Sequence, residues 1–127
     1  MSILSHVSVG TNDFARSQAF YDAVLGALGI PRMMTFEGDS AGYGREFPEF
    51  WIGPPHDGEP AAAGNGWHIC FNAERREQVD TFYEKALQLG GSDEGKPGLR
   101  PQYTPDYYAA FVRDPDGNKI EAVCFVK

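Results

Sequence analysis

The sequence predicts an α+β fold built from two βαβββ modules, and three observations carry that expectation. Strand-like and helix-like patterns recur in the same order in both halves of the chain. Shifting the sequence by 62 residues lays His6 on His68, Phe20-Tyr21 on Phe82-Tyr83, Leu25 on Leu87 and Gly29 on Gly91. These five identities fall on a strand, a helix core and a helix stop, as expected of a duplicated unit. Finally, Asp114-Pro115-Asp116-Gly117-Asn118 links two alternating runs. It supplies the preset φ, the local side-chain hydrogen bonds and the φ > 0 that a tight hairpin turn requires.

In chain order, Ile3 to Gly10 reads as a strand with Val7 and Val9 on one face and His6, Ser8 and Gly10 on the other. Thr11, Asn12 and Asp13 offer N-cap oxygens to a helix running to about Leu28, with Tyr21, Val24, Leu25 and Leu28 inward and Gly29 as its stop. Three short strands are expected at Met33–Glu37, Ala41–Glu46 and Glu49–Gly53, punctuated by Gly38, Pro48 and Pro54. Pro54 to Gly66 has the composition of a linker, and its His56 reads as an exposed loop residue. In the second half, Gly66–Asn72 is a strand with His68 and Cys70 opposite Ile69 and Phe71. Glu74–Leu89 is a helix burying Val79, Phe82, Tyr83, Ala86 and Leu87, stopped by Gly90-Gly91. The Gly/Pro-rich stretch 92–105 holds at most an irregular strand near Leu99–Tyr103, before strands at Tyr107–Arg113 and Lys119–Phe125. One domain over 1–127 is expected, with module one at about 3–53, the linker at 54–65 and module two at 66–126.

Composition narrows the class of function. With a net charge of −7 and no Lys/Arg cluster, the chain lacks the basic footprint that nucleic acid or an anionic membrane requires. No apolar run reaches membrane-spanning length and no basic-then-apolar leader is visible, so a soluble, cytoplasmic protein is expected. Cys70 and Cys124 both lie in apolar strand-like runs, which suits buried reduced thiols. A small-molecule substrate or a protein partner remains. In the last strand Ile120, Ala122 and Cys124 alternate with Lys119, Glu121 and Val123, so Glu121 lies opposite the apolar face. It reads either as a solvent-facing strand residue or, with the similarly set His6 and His68, as part of a site.

The runs Ser5-His6-Val7-Ser8-Val9, Ala19 to Gly29, Gly66-Trp67-His68-Ile69 and Asp114 to Glu121 together resemble the vicinal oxygen chelate superfamily. It includes glyoxalase I, extradiol dioxygenases, and fosfomycin- and bleomycin-resistance proteins. The resemblance covers essentially the whole chain and implies that the mixed sheets of the two modules form one open cup or barrel, often in a homodimer. It implies one divalent metal ion (Fe, Mn, Ni, Co or Zn) held by His6, His68 and Glu121, with open positions for a small oxygen-bearing substrate. Lyase, isomerase or dioxygenase chemistry would follow. The alternative it implies is a metal-free protein that sequesters a small molecule. Glyoxalase I carries a further glutamate where this chain has Trp51, and Glu49 could replace it only through a shifted register. Arg45, Trp51, Arg100 and Tyr107 are candidate substrate-binding residues, and Tyr103 and Tyr108 candidate proton donors. Alternation puts Tyr107 and Tyr108 on opposite faces, so only one can reach the ligand.

Overall fold

A computed structural model describes residues 2–127. The first half runs β1 (Val7–Gly10), α1 (Phe14–Ala27), β2 (Arg32–Phe36), β3 (Ser40–Tyr43) and β4 (Phe50–Gly53). The second runs β5 (Ile69–Asn72), α2 (Arg76–Gln88), β6 (Ser92–Leu99), β7 (Tyr108–Arg113) and β8 (Lys119–Cys124). Each half folds into its own four-stranded mixed sheet, in the orders β1-β4-β3-β2 and β5-β8-β7-β6, with the first strand parallel to the last. The two registers correspond: Ser8 faces Trp51 across β1 and β4, while Cys70 faces Glu121 across β5 and β8. Trp51 and Glu121 therefore hold equivalent positions, and the pairing leaves Glu49 outside β4 with no slip to bring it onto that position.

Local chemistry explains the helix ends. The Asp13 side chain accepts the amide of Arg16 at the start of α1, while Gly29 follows the helix at φ 75° and donates to Gly26, with Ile30 donating to Leu25. In α2 the Gln78 amide oxygen reaches back to the amides of Glu74 and Arg75. This helix ends one residue earlier relative to its start, so the positive-φ stop is Gly90 (φ 96°) rather than Gly91. Leu87, expected in the buried stripe, lies 41% exposed, and Ala86 is the last residue facing the core.

Three strands differ from expectation. Both histidine strands start later, at Val7 and Ile69, leaving His6 and His68 at the mouths of β1 and β5. β6 spans Ser92–Leu99 despite Gly95, Pro97 and Gly98. It is an outer strand with register breaks between Asp93 and Gly98, where a proline without an N–H is tolerated.

The two halves share one apolar core. Phe50 of β4 meets Phe71 of β5 edge to face at 5.1 Å, and Tyr21 packs on Phe50 at 4.9 Å. Burying each such ring contributes about 1.5–3 kcal/mol. Polar clasps cross between the halves. Asn118 in the β7–β8 turn donates to the Gly10 carbonyl at the end of β1, and Arg45 in the β3–β4 loop donates to the Asn72 carbonyl at the end of β5. Buried Asp114 organises the β7–β8 turn, accepting from Tyr21 Oη at 2.6 Å, from the amides of Asp116 and Asn118, and from Asn118 Nδ2. The linker is docked as well, because Asn12 exchanges two hydrogen bonds with the Ala61 backbone. Among the described residues no helix is long and apolar enough to cross a membrane.

Candidate functional site

Strand alternation turns Glu121 to the face of the second sheet opposite helix α2, and its neighbours cover it. Glu121 is 1% exposed, which rules out the solvent-facing reading of the carboxylate. One oxygen lies 2.9 Å from His68 Nε2 and the other accepts from Tyr107 Oη at 2.5 Å. Phe111 stands opposite Glu121 across the β7–β8 hairpin, and the His68 ring lies 6.0 Å from it. Cys70, paired with Glu121 across β5 and β8, is exposed as a residue rather than buried, but its sulfur turns toward Glu121 and Tyr107. Removal from water, and then the Glu121 charge, push this thiol well above its ordinary range. Burial first, and then the bond to Glu121, likewise raise Tyr107, so it stays a protonated phenol and a hydrogen-bond donor.

The other expected residues divide between this cluster and the rest of the molecule. Tyr103 is 58% exposed and packs edge-on over Tyr107 at 5.0 Å. Tyr108 lies on the opposite face, donating to Asp80 of α2 at 2.6 Å beneath the Arg76 guanidinium, and that bond raises its pKa to about 12. The structure therefore corrects Tyr108 as a proton donor beside Glu121, since successive strand residues point to opposite faces. Arg45 bonds to the carbonyls of Leu28 and Asn72, where it joins the modules. Its side chain also borders a cleft of about 450 Å³ between them, whose walls include both His6 and His68.

His6 is exposed and its Nδ1 lies 3.0 Å from Ser5 Oγ, apart from the His68–Glu121 pair. Among the described residues, no three His, Cys, Asp or Glu side chains converge closely enough to hold a metal ion. Two donors of the expected set thus meet within one chain and the third does not. The donor types, two imidazoles and a carboxylate, suit a divalent transition metal, while the geometry supplies only part of the shell.

On the first sheet, the position matching Glu121 carries Trp51, whose indole stacks on Phe36 at 6.2 Å and 20°. Gly42 makes this possible, because a Cβ there would come within 2.9 Å of the indole and of Pro48. Trp51 borders an open cleft of about 470 Å³ with Ser8, Ser40 and His56. Sequence reasoning missed Phe111 and Lys119, which lie on the Glu121 face. The turn centred on Asp116 could have found them, since counting outward from it pairs 113 with 119 and 111 with 121.

A family model of the glyoxalase/bleomycin resistance protein/dioxygenase superfamily matches residues 3–122. A glyoxalase/bleomycin resistance protein from Albidiferax ferrireducens T118 is 42% identical, with a TM-score of 0.85, over 97% of this chain and 98% of that one. Two more distant structures share the fold. Lactoylglutathione lyase from Agrobacterium tumefaciens is 20% identical at TM-score 0.65, over 98% of this chain and 94% of that one. A fosfomycin resistance protein from Listeria monocytogenes is 17% identical at TM-score 0.67, over 98% and 93%. No curated protein matches. With a match across nearly its full length, and two modules whose end strands pair in the same register, the chain belongs to the glyoxalase/bleomycin resistance protein/dioxygenase superfamily.

Proposed function

We propose that the protein is a cytoplasmic, metal-dependent enzyme of the lyase, isomerase or dioxygenase type, acting on a small oxygen-bearing organic substrate. The observation that carries this reading is the buried Glu121 carboxylate held between His68 Nε2 and Tyr107 Oη. Full burial of a charge is costly unless the charge is used or paired, and its partners here are a metal-ligating side chain and a proton donor. His68, Glu121 and His6 would hold the ion, which when bound supplies Lewis acidity toward adjacent substrate oxygens. Tyr107 orients the carboxylate and can donate its proton to an oxygen on which negative charge develops, while Tyr103 shields it from water.

The third arm of the site is proposed to come from assembly. β1 and β5 are outer strands, and Met34 and Phe36 beside Trp51 are 43% and 52% exposed, so a two-fold homodimer would cover apolar surface and bring His6 of one copy toward His68 and Glu121 of the other. Light scattering should then return a dimer, and the mass of one chain, 14.0 kDa, contradicts it. Because Trp51 fills the position of a fourth carboxylate, a four-ligand glyoxalase I site is not part of the proposal. The Trp51–Phe36 surface favours a second reading, in which the cup sequesters a ligand without metal. Metal content of freshly purified protein, and melting temperature with and without EDTA, decide between them. Stoichiometric metal with stabilisation supports the enzyme, whereas no metal and no response to added Mn, Fe, Co, Ni or Zn leaves the binding protein.

A further inference from the structure

Around Phe111, on the Glu121 face, the chain gathers cations without neutralising them. Arg100 Cζ lies 5.6 Å and Lys119 Nζ 5.4 Å from the centre of the phenyl ring, and both residues are half-buried. The net charge is −7, yet no ion pair among the described residues engages either side chain, while Arg16, Arg32 and Arg113 are all paired with carboxylates. The guanidinium is held in place from behind, where Nη1 donates to the Gly98 carbonyl at 2.8 Å and Nη2 to that of Lys96 at 2.7 Å. Two glycines make room for it: a Cβ on Gly95 would lie 3.2 Å from Nη2 and 3.1 Å from Phe111, and one on Gly98 would lie 3.3 Å from Nη1. A guanidinium has five N–H donors and an ammonium three, so both groups keep free donors after these bonds.

Lys119 shares its strand face with Glu121 two residues on, and Phe111 is the cross-strand partner of Glu121. We infer that Arg100 and Lys119 form an oxyanion subsite beside the His68–Glu121 pair, and that the substrate is a small organic anion. Its anionic oxygens would accept from the free donors of Arg100 and Lys119 at the border of Phe111, while its neighbouring oxygens reach His68 and Glu121. The placement of the remaining oxygens rests on the proposed function, but the subsite itself needs no metal. The apolar ring beneath lowers the local dielectric, which strengthens charge-assisted hydrogen bonds to a bound anion.

The test titrates the EDTA-treated full-length protein with methylphosphonate, and with its neutral dimethyl ester, following amide shifts by NMR. Saturable binding of the anion but not the ester is expected, weakened at least about tenfold by Lys119→Met and by Arg100→Met and retained in Lys119→Arg. Melting temperatures report folding, and because Arg100 also anchors β6, Lys119→Met decides alone if Arg100→Met unfolds. Absence of binding, equal binding of the ester, or identical affinity in Lys119→Met overturns the inference. Uptake of Co²⁺ by wild type and Glu121→Gln, read from visible absorption, tests the metal reading separately. Loss of that reading with anion binding intact leaves the subsite standing, and the reverse result removes the subsite alone.

Discussion

The two modules repeat one backbone plan and diverge where their end strands meet. In the first, Ser8 and Trp51 face each other beside Phe36. In the second, Cys70 and Glu121 occupy the matching pair beside His68, Tyr107, Phe111 and Lys119. One position thus carries an indole in one copy and a carboxylate in the other. The backbone register fixes where a side chain emerges, and each sheet then specialises, one toward flat apolar contact and the other toward charge.

The strongest way to break this comparison is to remove the charge from the polar module. Glu121→Gln keeps the shape but leaves a bound divalent ion with only neutral ligands, so affinity should fall by orders of magnitude, read as metal per chain and as loss of the EDTA-sensitive shift in melting temperature. Wild-type metal content in the variant would end the specialisation argument. Next is the turn beside it: Asp114→Ala strips a buried acceptor from Tyr21, Asp116 and Asn118, and should cost about 3 kcal/mol in urea unfolding. The aromatic module is probed by Gly42→Val, which pushes the Trp51 indole off β3. A cost of about 2 kcal/mol and a shift in tryptophan fluorescence are expected, with metal content unchanged. The smallest effect is expected from Arg45→Met, the first module's counterpart of the Asn118 clasp, at about 1 kcal/mol because one of its hydrogen bonds is exposed and the other only part-buried.

What the sequence disclosed followed from its local chemistry. Asp-Pro-Asp-Gly-Asn specified the turn, alternation in β8 separated Glu121 from the core side chains, and the Thr11-Asn12-Asp13 run marked the start of α1. β6 was hidden because Gly95, Pro97 and Gly98 have poor strand propensity, and only pairing with β7 holds them extended. Tyr107 and Tyr108 could not be told apart, because alternation gives opposite faces without saying which face is inward. The Arg45 role depends on the first sheet meeting the second, which no single-strand pattern encodes. Lys119 drew no notice because one lysine beside a turn is unremarkable until Arg100 arrives from 19 residues upstream to share its ring.

The clasp from Asn118 to Gly10 joins residues 108 apart, and the bond from the Asn12 amide to the Asp116 carboxylate joins residues 104 apart. During synthesis the end of β1 and the Tyr21 hydroxyl emerge 108 and 93 residues ahead of their partners Asn118 and Asp114. Contacts at such separation are closed late and slowly, because the intervening chain must be ordered first. The nascent first module therefore stays open at that end until the β7–β8 hairpin has been made, and is exposed to misassociation over that interval.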